Sequence, residues 1–358
     1  MEVEVSRPRH DRDESMTQGH RAHLGVVLCL LTALLMAAVL LSLTVGAVHV
    51  PVRSILAALA GGQPLTATAA TILLQVRLPR VVAAALIGAA LAIAGLLFQG
   101  LFRNPMADPY VIGSSGGAAL GASIGLFLLP RFSLLGFSAI SLSAFAGSVV
   151  TIVLVYWLAR TGGRTQVVTL LLAGFGVSTM LSYTTYFVEL LNQSYGLGMS
   201  IMASWFHGTI DVPQWSQLAV AGVMLGVAGC ICLPLARRLN TLALGEEYAQ
   251  QLGVPLEATR IAIIVTGSLL VAAAVSLGGL ISFVGLVVPH LVRLVMGPDN
   301  VRLLPATAIA GALFLVLTDT AARTLLAPTE IPVGVLSAFL GGPFFLYLLR
   351  HTKREYKL

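Results

Sequence analysis

Apolar runs of about twenty residues, the length that crosses a bilayer as a helix, recur along the whole of this chain. Nothing else in the sequence constrains its fold as much. Inside a bilayer the backbone N–H and C=O groups find no water, so only helices and closed barrels can span. The runs are too long and too evenly apolar for the alternating strands of a barrel. Of 358 residues, 57% are hydrophobic and only 10% are charged, where a soluble protein carries roughly a quarter charged residues. The sequence predicts an all-α polytopic membrane protein.

Ten transmembrane helices are predicted, over 24–48, 81–101, 110–129, 137–158, 167–189, 217–236, 260–276, 280–296, 305–325 and 332–350. Only Gly278 and Gly279 separate the seventh from the eighth. Short helical pieces are expected outside the core at 51–60 and 199–207. The first run is too long for a signal peptide and reads as a retained helix. Residues 1–23 mix both charge signs with little apolar content and are expected to be disordered. The transmembrane domain is then 24–350, followed by a short tail at 351–358.

Basic residues orient the chain. With the N-terminus inside, 16 of the 21 Lys and Arg residues fall on cytoplasmic segments. Arg53, Arg77, Arg80, Arg131 and Arg323 fall outside. Both termini are predicted to be cytoplasmic. The net charge of +6 then reflects topology and calls for no nucleic-acid partner. Spans two to five and seven to ten would run in opposite senses, the arithmetic of an inverted repeat. A loose echo between Gly95-Leu96-Leu97-Phe98 and Gly279-Leu280-Ile281-Ser282-Phe283 accompanies it. Glycines such as Gly88, Gly95, Gly113, Gly116, Gly117 and Gly121 sit inside spans. They either let helices approach closely or, in clusters, unwind a helix beside a pathway. Cys29, Cys230 and Cys232 have no metal or disulfide spacing and read as small apolar filler.

The chemistry that is missing narrows the function. No phosphate-cradling G-x-x-x-x-G-K-[ST] motif occurs, and the only lysines are Lys353 and Lys357; such a cradle needs its lysine between a strand and a helix. No nucleophile–base pair or metal-ligand cluster stands out, so no catalytic residue, metal site or cofactor is assigned, and a membrane-embedded enzyme has no supporting residues. Span carboxylates are few. Glu189 and Asp319 lie toward outer ends, and Asp319 has Arg323 one turn later, where the two can neutralise each other. Proton coupling is therefore poorly supported, while a sodium site of backbone carbonyls stays open. Against this oily background the stretch 237–260 is a polar island. Glu246 and Glu247 open a turn there, and Gly253 and Pro255 close it. A chain with no energy source and a polar cytoplasmic knob is expected to use a separate ATPase. The alternative is a self-sufficient secondary transporter or channel.

Five motifs carry a family resemblance over roughly residues 24–350. They are Arg77-Leu78-Pro79-Arg80; Gly95 to Gln99 running into Phe102-Arg103-Asn104-Pro105-Met106-Ala107-Asp108-Pro109; Leu242-Ala243-Leu244-Gly245-Glu246 with Ala249 to Gly253; Gly285-Leu286-Val287-Val288-Pro289-His290; and Glu330-Ile331-Pro332-Val333-Gly334 leading to Gly341-Gly342-Pro343. In this order the chain resembles the FecCD-type permeases of ABC importers for iron chelates, heme and cobalamin. The resemblance implies the type II importer permease architecture in a bacterial inner membrane: ten helices per subunit, a homodimer and a path on the dimer axis. It also implies two cytoplasmic ATPase subunits, which hold the ATP and Mg, and an extracytoplasmic substrate-binding protein.

Residue by residue, the resemblance implies ATPase coupling at Leu242, Ala243, Leu244, Gly245, Glu246, Glu247, Ala249, Leu252 and Gly253. Docking of the binding protein is implied at Arg77, Arg80 and Arg323, the alternatives being interfacial anchoring or a structural pair with Asp319. Asn104, Pro105 and Met106 stand where the family has a cytoplasmic gate; relatives often have Leu at the position of Met106. No gate is assigned at 165–169. Met199, Met202, Trp205 and His207 form an outer group that either ligates a chelate or packs, and His290 reads as structural. Heme and ferric siderophore lead as cargo, ahead of cobalamin and an oxyanion such as molybdate. Path-lining residues are expected to be small and apolar, so the sequence does not name the cargo.

Overall fold

The computed structural model describes residues 9–46, 50–54, 66–161, 164–192 and 196–352. The described chain is helical apart from two very short hairpins, Ser133–Leu134 with Phe137–Ser138 and Arg160–Thr161 with Arg164–Thr165. The helices are α1 (Arg9–Thr44), α2 (Ala67–Phe102), α3 (Ser114–Phe127), α4 (Ala139–Ala159), α5 (Val167–Leu191), α6 (Gly196–Phe206), α7 (Trp215–Ala243), α8 (Glu246–Gln251), α9 (Leu256–Gly278), α10 (Val284–Met296), α11 (Asn300–Thr324) and α12 (Val333–Thr352).

Each of the ten sequence-predicted spans meets one of these helices. Seven are long and apolar enough to cross a membrane: α1, α2, α4, α5, α7, α9 and α11. The other three are shorter. α3 has 14 residues and α10 has 13, a rise of roughly 20 Å against a hydrocarbon core of about 30 Å. The apolar part of α12 is Val333–Tyr347.

Several boundaries differ from expectation, each for a local reason. The predicted span 110–129 is divided: a 3₁₀ turn covers Pro109–Ile112, and Gly113, at φ +93°, breaks the chain before α3. That left-handed conformation is open to glycine and costly for residues with a Cβ. The Arg77–Arg80 motif, expected ahead of span two, lies within α2, which starts at Ala67. A π-helical turn over Ile72–Arg77 leads into Pro79, whose ring removes one N–H from the ladder. α7 runs beyond 236 through Arg237 and Arg238 to Ala243, so the polar island begins as a helix end. Gly279, at φ +67°, separates α9 from α10 as expected, but α10 starts only at Val284. α1 has already begun at residue 9. The predicted helical piece 51–60 is described only to residue 54, and residues 55–65 lie outside the described residues, as do 1–8 and 353–358.

Packing explains the sequence of α2. In its apolar window 83% of residues are buried, against 6% in α1, so α2 is the hub and α1 keeps most of its surface outward. α2 packs against α7, α9, α10 and α11, while α3 packs on α4 and α5. Without a hydrophobic drive between helices in lipid, close approach of small residues supplies the contact. A Cβ built on Gly95 would stand 1.8 Å from the Gly285 carbonyl oxygen of α10, and one on Gly88 would stand 2.2 Å from the Gly311 oxygen of α11. The same device joins α3 to α4, where a Cβ on Gly121 would lie 2.0 Å from the Ser143 oxygen. Of the two readings left open for the glycines, Gly113 is a chain break, whereas Gly88, Gly95 and Gly121 are packing positions.

Candidate functional site

Two polar regions mark opposite ends of the bundle. At one end, α7 reaches Ala243, Gly245 turns at φ +126°, α8 follows, and Gly253 turns again at φ +79° into α9. The polar island is thus a folded knob between two long helices. Asn240, in the last turn of α7, anchors its root. Its Nδ2 donates to Asp299 Oδ1 at 2.7 Å, and its Oδ1 accepts from the backbone N–H of Asn300 at 2.8 Å. This knot fixes the start of α11 at the knob end, and with it places Asp319 and Arg323, late in α11, at the other. Nothing in the spacing of Asn240 and Asn300 announced it.

The knob has two faces. Leu242 and Ala249 are buried and hold it to the body. Leu244, Tyr248 and Leu252 are 67%, 64% and 67% exposed. Leu244 caps the end of α7, Tyr248 lies within α8 and Leu252 caps its end. Beside them an open groove of about 750 Å³ is lined by Glu246, Glu247, Gln250, Gly253, Val254 and Pro255 among others. Of the sequence-assigned coupling residues, Leu244, Glu246, Glu247, Leu252 and Gly253 are therefore exposed or line the groove, while Leu242 and Ala249 face inward. Tyr248 was missed; its place midway between Leu244 and Leu252 was the available signal.

The Asn104-Pro105-Met106 segment lies at the same end. α2 stops at Arg103, which adopts φ +49°, and the Asn104 N–H returns to the Gln99 carbonyl at 3.1 Å. Asn104 Oδ1 accepts the Met106 N–H at 2.9 Å, across a proline that has no N–H to donate. The Arg103 guanidinium donates to the Leu242 carbonyl, joining this segment to the knob.

At the opposite end Arg77, Arg80, Asp319, Arg323 and Glu330 form one cluster. Arg80 Nε meets Asp319 Oδ1 at 3.0 Å and its Nη1 meets Glu330 Oε2 at 2.8 Å. Arg323 Nε takes the other Asp319 oxygen at 3.0 Å, and its Nη2 donates to Ser42 Oγ at 2.7 Å. Arg77 donates to the Leu43 carbonyl at 2.6 Å. Arg77 and Arg80 are only 5% and 8% exposed, and Asp319 is fully buried. The charge that stands out is Glu330, with a half-exposed side chain. The pair with Asp319, held open as an alternative to docking, is made by Arg323 and also by Arg80.

In the outer group, Met202 is buried. Trp205 packs edge-on against Phe206, and His207, just past the end of α6, has its Nδ1 2.6 Å from the carbonyl of Ala203. His290 is half-buried within α10.

Comparison with known proteins converges on one group. The FecCD transport family matches residues 34–351. A cobalamin import system permease protein from Halobacterium salinarum is 44% identical over 283 residues, covering 79% of this chain and 74% of the relative. A hemin transport system permease protein from Yersinia pestis is 39% identical, covering 79% and 84%. An iron(3+)-hydroxamate import system permease protein from Bacillus subtilis is 34% identical, covering 92% and 85%. A metal-chelate type ABC transporter solved in an inward-facing conformation superposes with a TM-score of 0.81 at 30% identity, covering 91% of this chain and 99% of that one. A multi-pass helical bundle of this kind is the permease subunit of an ABC importer and is not itself catalytic. The chain belongs to the FecCD transport family.

Proposed function

We propose that this permease moves an intact metal chelate across the bacterial inner membrane by alternating access, driven by two ATPase subunits gripping the knob of a permease homodimer. The observation that carries this reading is the exposure of three large side chains on the knob, Leu244, Tyr248 and Leu252. A cytoplasmic loop has no lipid to cover such side chains, and aromatic and apolar anchors at the centre of an interface carry much of its affinity. The ten helices pass the membrane with both termini inside, and α2–α5 and α9–α12 are the two halves of an inverted repeat. Asn104, Pro105 and Met106 form the cytoplasmic gate.

The opposite end receives the extracytoplasmic binding protein. Arg77, Arg80 and Arg323 act there chiefly through the surface they hold in place, since they are buried and internally paired, and Glu330 is the charge nearest a partner. Among cargoes, the relatives at 44% and 39% identity carry cobalamin and hemin in their names and the one at 34% carries a hydroxamate. This ranking favours a metal tetrapyrrole, with cobalamin beside heme and ahead of the siderophores.

The knob reading has a direct test. Tyr248→Asp or Leu244→Asp should weaken binding of the ATPase to detergent-solubilised permease by about thirtyfold, the loss of one anchor of roughly 2 kcal/mol. The permease itself should stay folded, because both side chains are outside its packing. Unchanged ATPase binding, or uptake into vesicles by this chain without any ATPase, would return the alternative of a self-sufficient transporter.

A further inference from the structure

Arg260 reaches well beyond the knob it flanks. It lies in the first turns of α9 with a side chain only 13% exposed. Its Nη2 meets Glu246 Oε1, in the first turn of α8, at 2.6 Å. Its Nη1 donates to the backbone carbonyl of Thr165 at 3.2 Å and stands 3.7 Å from Glu257 Oε2. Glu257 in turn accepts both the hydroxyl of Thr165 and its backbone N–H. Thr165 is buried, closes the Arg160–Thr165 hairpin, and stands two residues before α5 begins. One guanidinium thus joins three segments: the knob helix, the start of α9 and the entrance to α5. On the other side, Arg103 ties the end of α2 to the Leu242 carbonyl.

This arrangement is more than a surface ion pair, which would contribute little. The donors are charged and bonds of this kind are about twice as strong as neutral ones. The planar fork of arginine serves several acceptors in fixed directions, which a lysine does not. Holding the shape of the knob would require contacts only to α7 and α9, its own flanks. The contact to the hairpin before α5 binds the knob to a helix that enters the bundle elsewhere, and Arg103 binds its α7 flank to the end of α2.

We propose that Arg260 is a positioning residue that transmits displacement of the knob to the cytoplasmic end of α5, through Glu246 on one side and Thr165 with Glu257 on the other; Arg103 makes the corresponding link to α2. The proposal rests on the reading of the knob as the ATPase contact. When the ATPase moves α8, the tether carries the start of α5 with it. Without the tether the ATPase still binds and turns over, but its motion stops at the knob.

The test uses the complete complex of permease, ATPase and binding protein in liposomes, with cobalamin and heme as transport probes. Arg260→Gln should leave ATPase assembly within about twofold and ATP hydrolysis within about threefold, while uptake falls roughly tenfold or more, the scale of a lost charge-assisted hydrogen bond. Glu257→Gln should act alike, and the double variant should be no worse than the poorer single, because residues in one network are not additive. Arg260→Lys keeps the charge without the fork and should transport at an intermediate level; if Arg260→Gln does not accumulate, this variant decides. Wild-type uptake by any of these variants, or a parallel fall of uptake and hydrolysis, would overturn the proposal. Retention of the ATPase by Tyr248→Asp would instead show that the docking reading had failed.

Discussion

Alanine at Gly95 should destabilise this protein strongly, although it adds a single methyl group. The added Cβ would sit 1.8 Å from the Gly285 carbonyl oxygen, and a carbon needs roughly 3.3 Å from such an oxygen. α2 and α10 would have to part by about 1.5 Å, the difference between those two distances. The obstacle is backbone, so no side chain can rotate away. α2 is also enclosed by α7, α9 and α11, and moving it off α10 presses it into α9 or α11. Overpacking typically costs 1–3 kcal/mol, and this site belongs at the upper end, about 3 kcal/mol for Gly95→Ala. Gly95→Val should leave almost no folded permease in membranes. Gly88→Ala, 2.2 Å from the Gly311 oxygen, should behave like Gly95→Ala. The control lies in the same protein: Gly222, Gly226 and Gly229 on α7 have nothing within 4 Å of a built Cβ. Alanine there should be neutral or stabilise by up to about 1 kcal/mol through helix propensity. Thermal denaturation of the purified variants in detergent reads the five alanine substitutions, and a Gly95→Ala protein as stable as Gly222→Ala would remove the close-packing argument.

That contrast shows what kind of information the sequence holds. The helices were legible, because apolar length is a local property. So were the breaks at Gly253 and Gly279, because positive φ selects glycine. The Gly95 contact was not: its partner is Gly285, 190 positions on, whereas the internal echo pointed to Gly279. Lengths failed where a glycine inside an apolar run takes positive φ, as at Gly113, or where a polar sequence still continues a helix, as at Arg237 and Arg238. At the candidate site, the knob and its ends were legible from composition and turn residues. Which side chains face outward was not, since that depends on how the knob sits on the body; Leu242 and Leu244 look equivalent in the sequence and face opposite ways. The arginines show the same limit. Asp319 and Arg323 are four apart and visible as a pair, but the contacts of Arg80 are 239 and 250 positions away.

The same cluster gives the second large effect. Asp319→Ala should cost about 3–5 kcal/mol, the usual range when one partner of a buried ion pair is removed. Asp319 is fully buried and gives one oxygen to Arg80 and the other to Arg323, each at 3.0 Å. Removing it leaves two guanidinium groups facing each other, Arg80 still paired with the half-exposed Glu330. Asp319→Asn keeps an acceptor but not the charge and should fall between wild type and alanine. Salt should not rescue either variant, because buried charges are screened much less than exposed ones. Replacing Arg80, Asp319 and Arg323 together by Met, Leu and Met should recover much of the loss, since a buried ionic triad exchanged for apolar residues of similar size is often neutral. Thermal unfolding in detergent is the measurement, and an Asp319→Ala protein within about 1 kcal/mol of wild type would show that the cluster does not hold this end together. The outcome also fixes how docking can be examined. If Asp319→Ala unfolds, then reversing Arg77 and Arg80 to Glu abolishes uptake whether or not a binding protein touches them. Only binding-protein affinity measured on the folded triple replacement separates the two roles: retained affinity assigns the arginines to the fold, and lost affinity assigns them to docking.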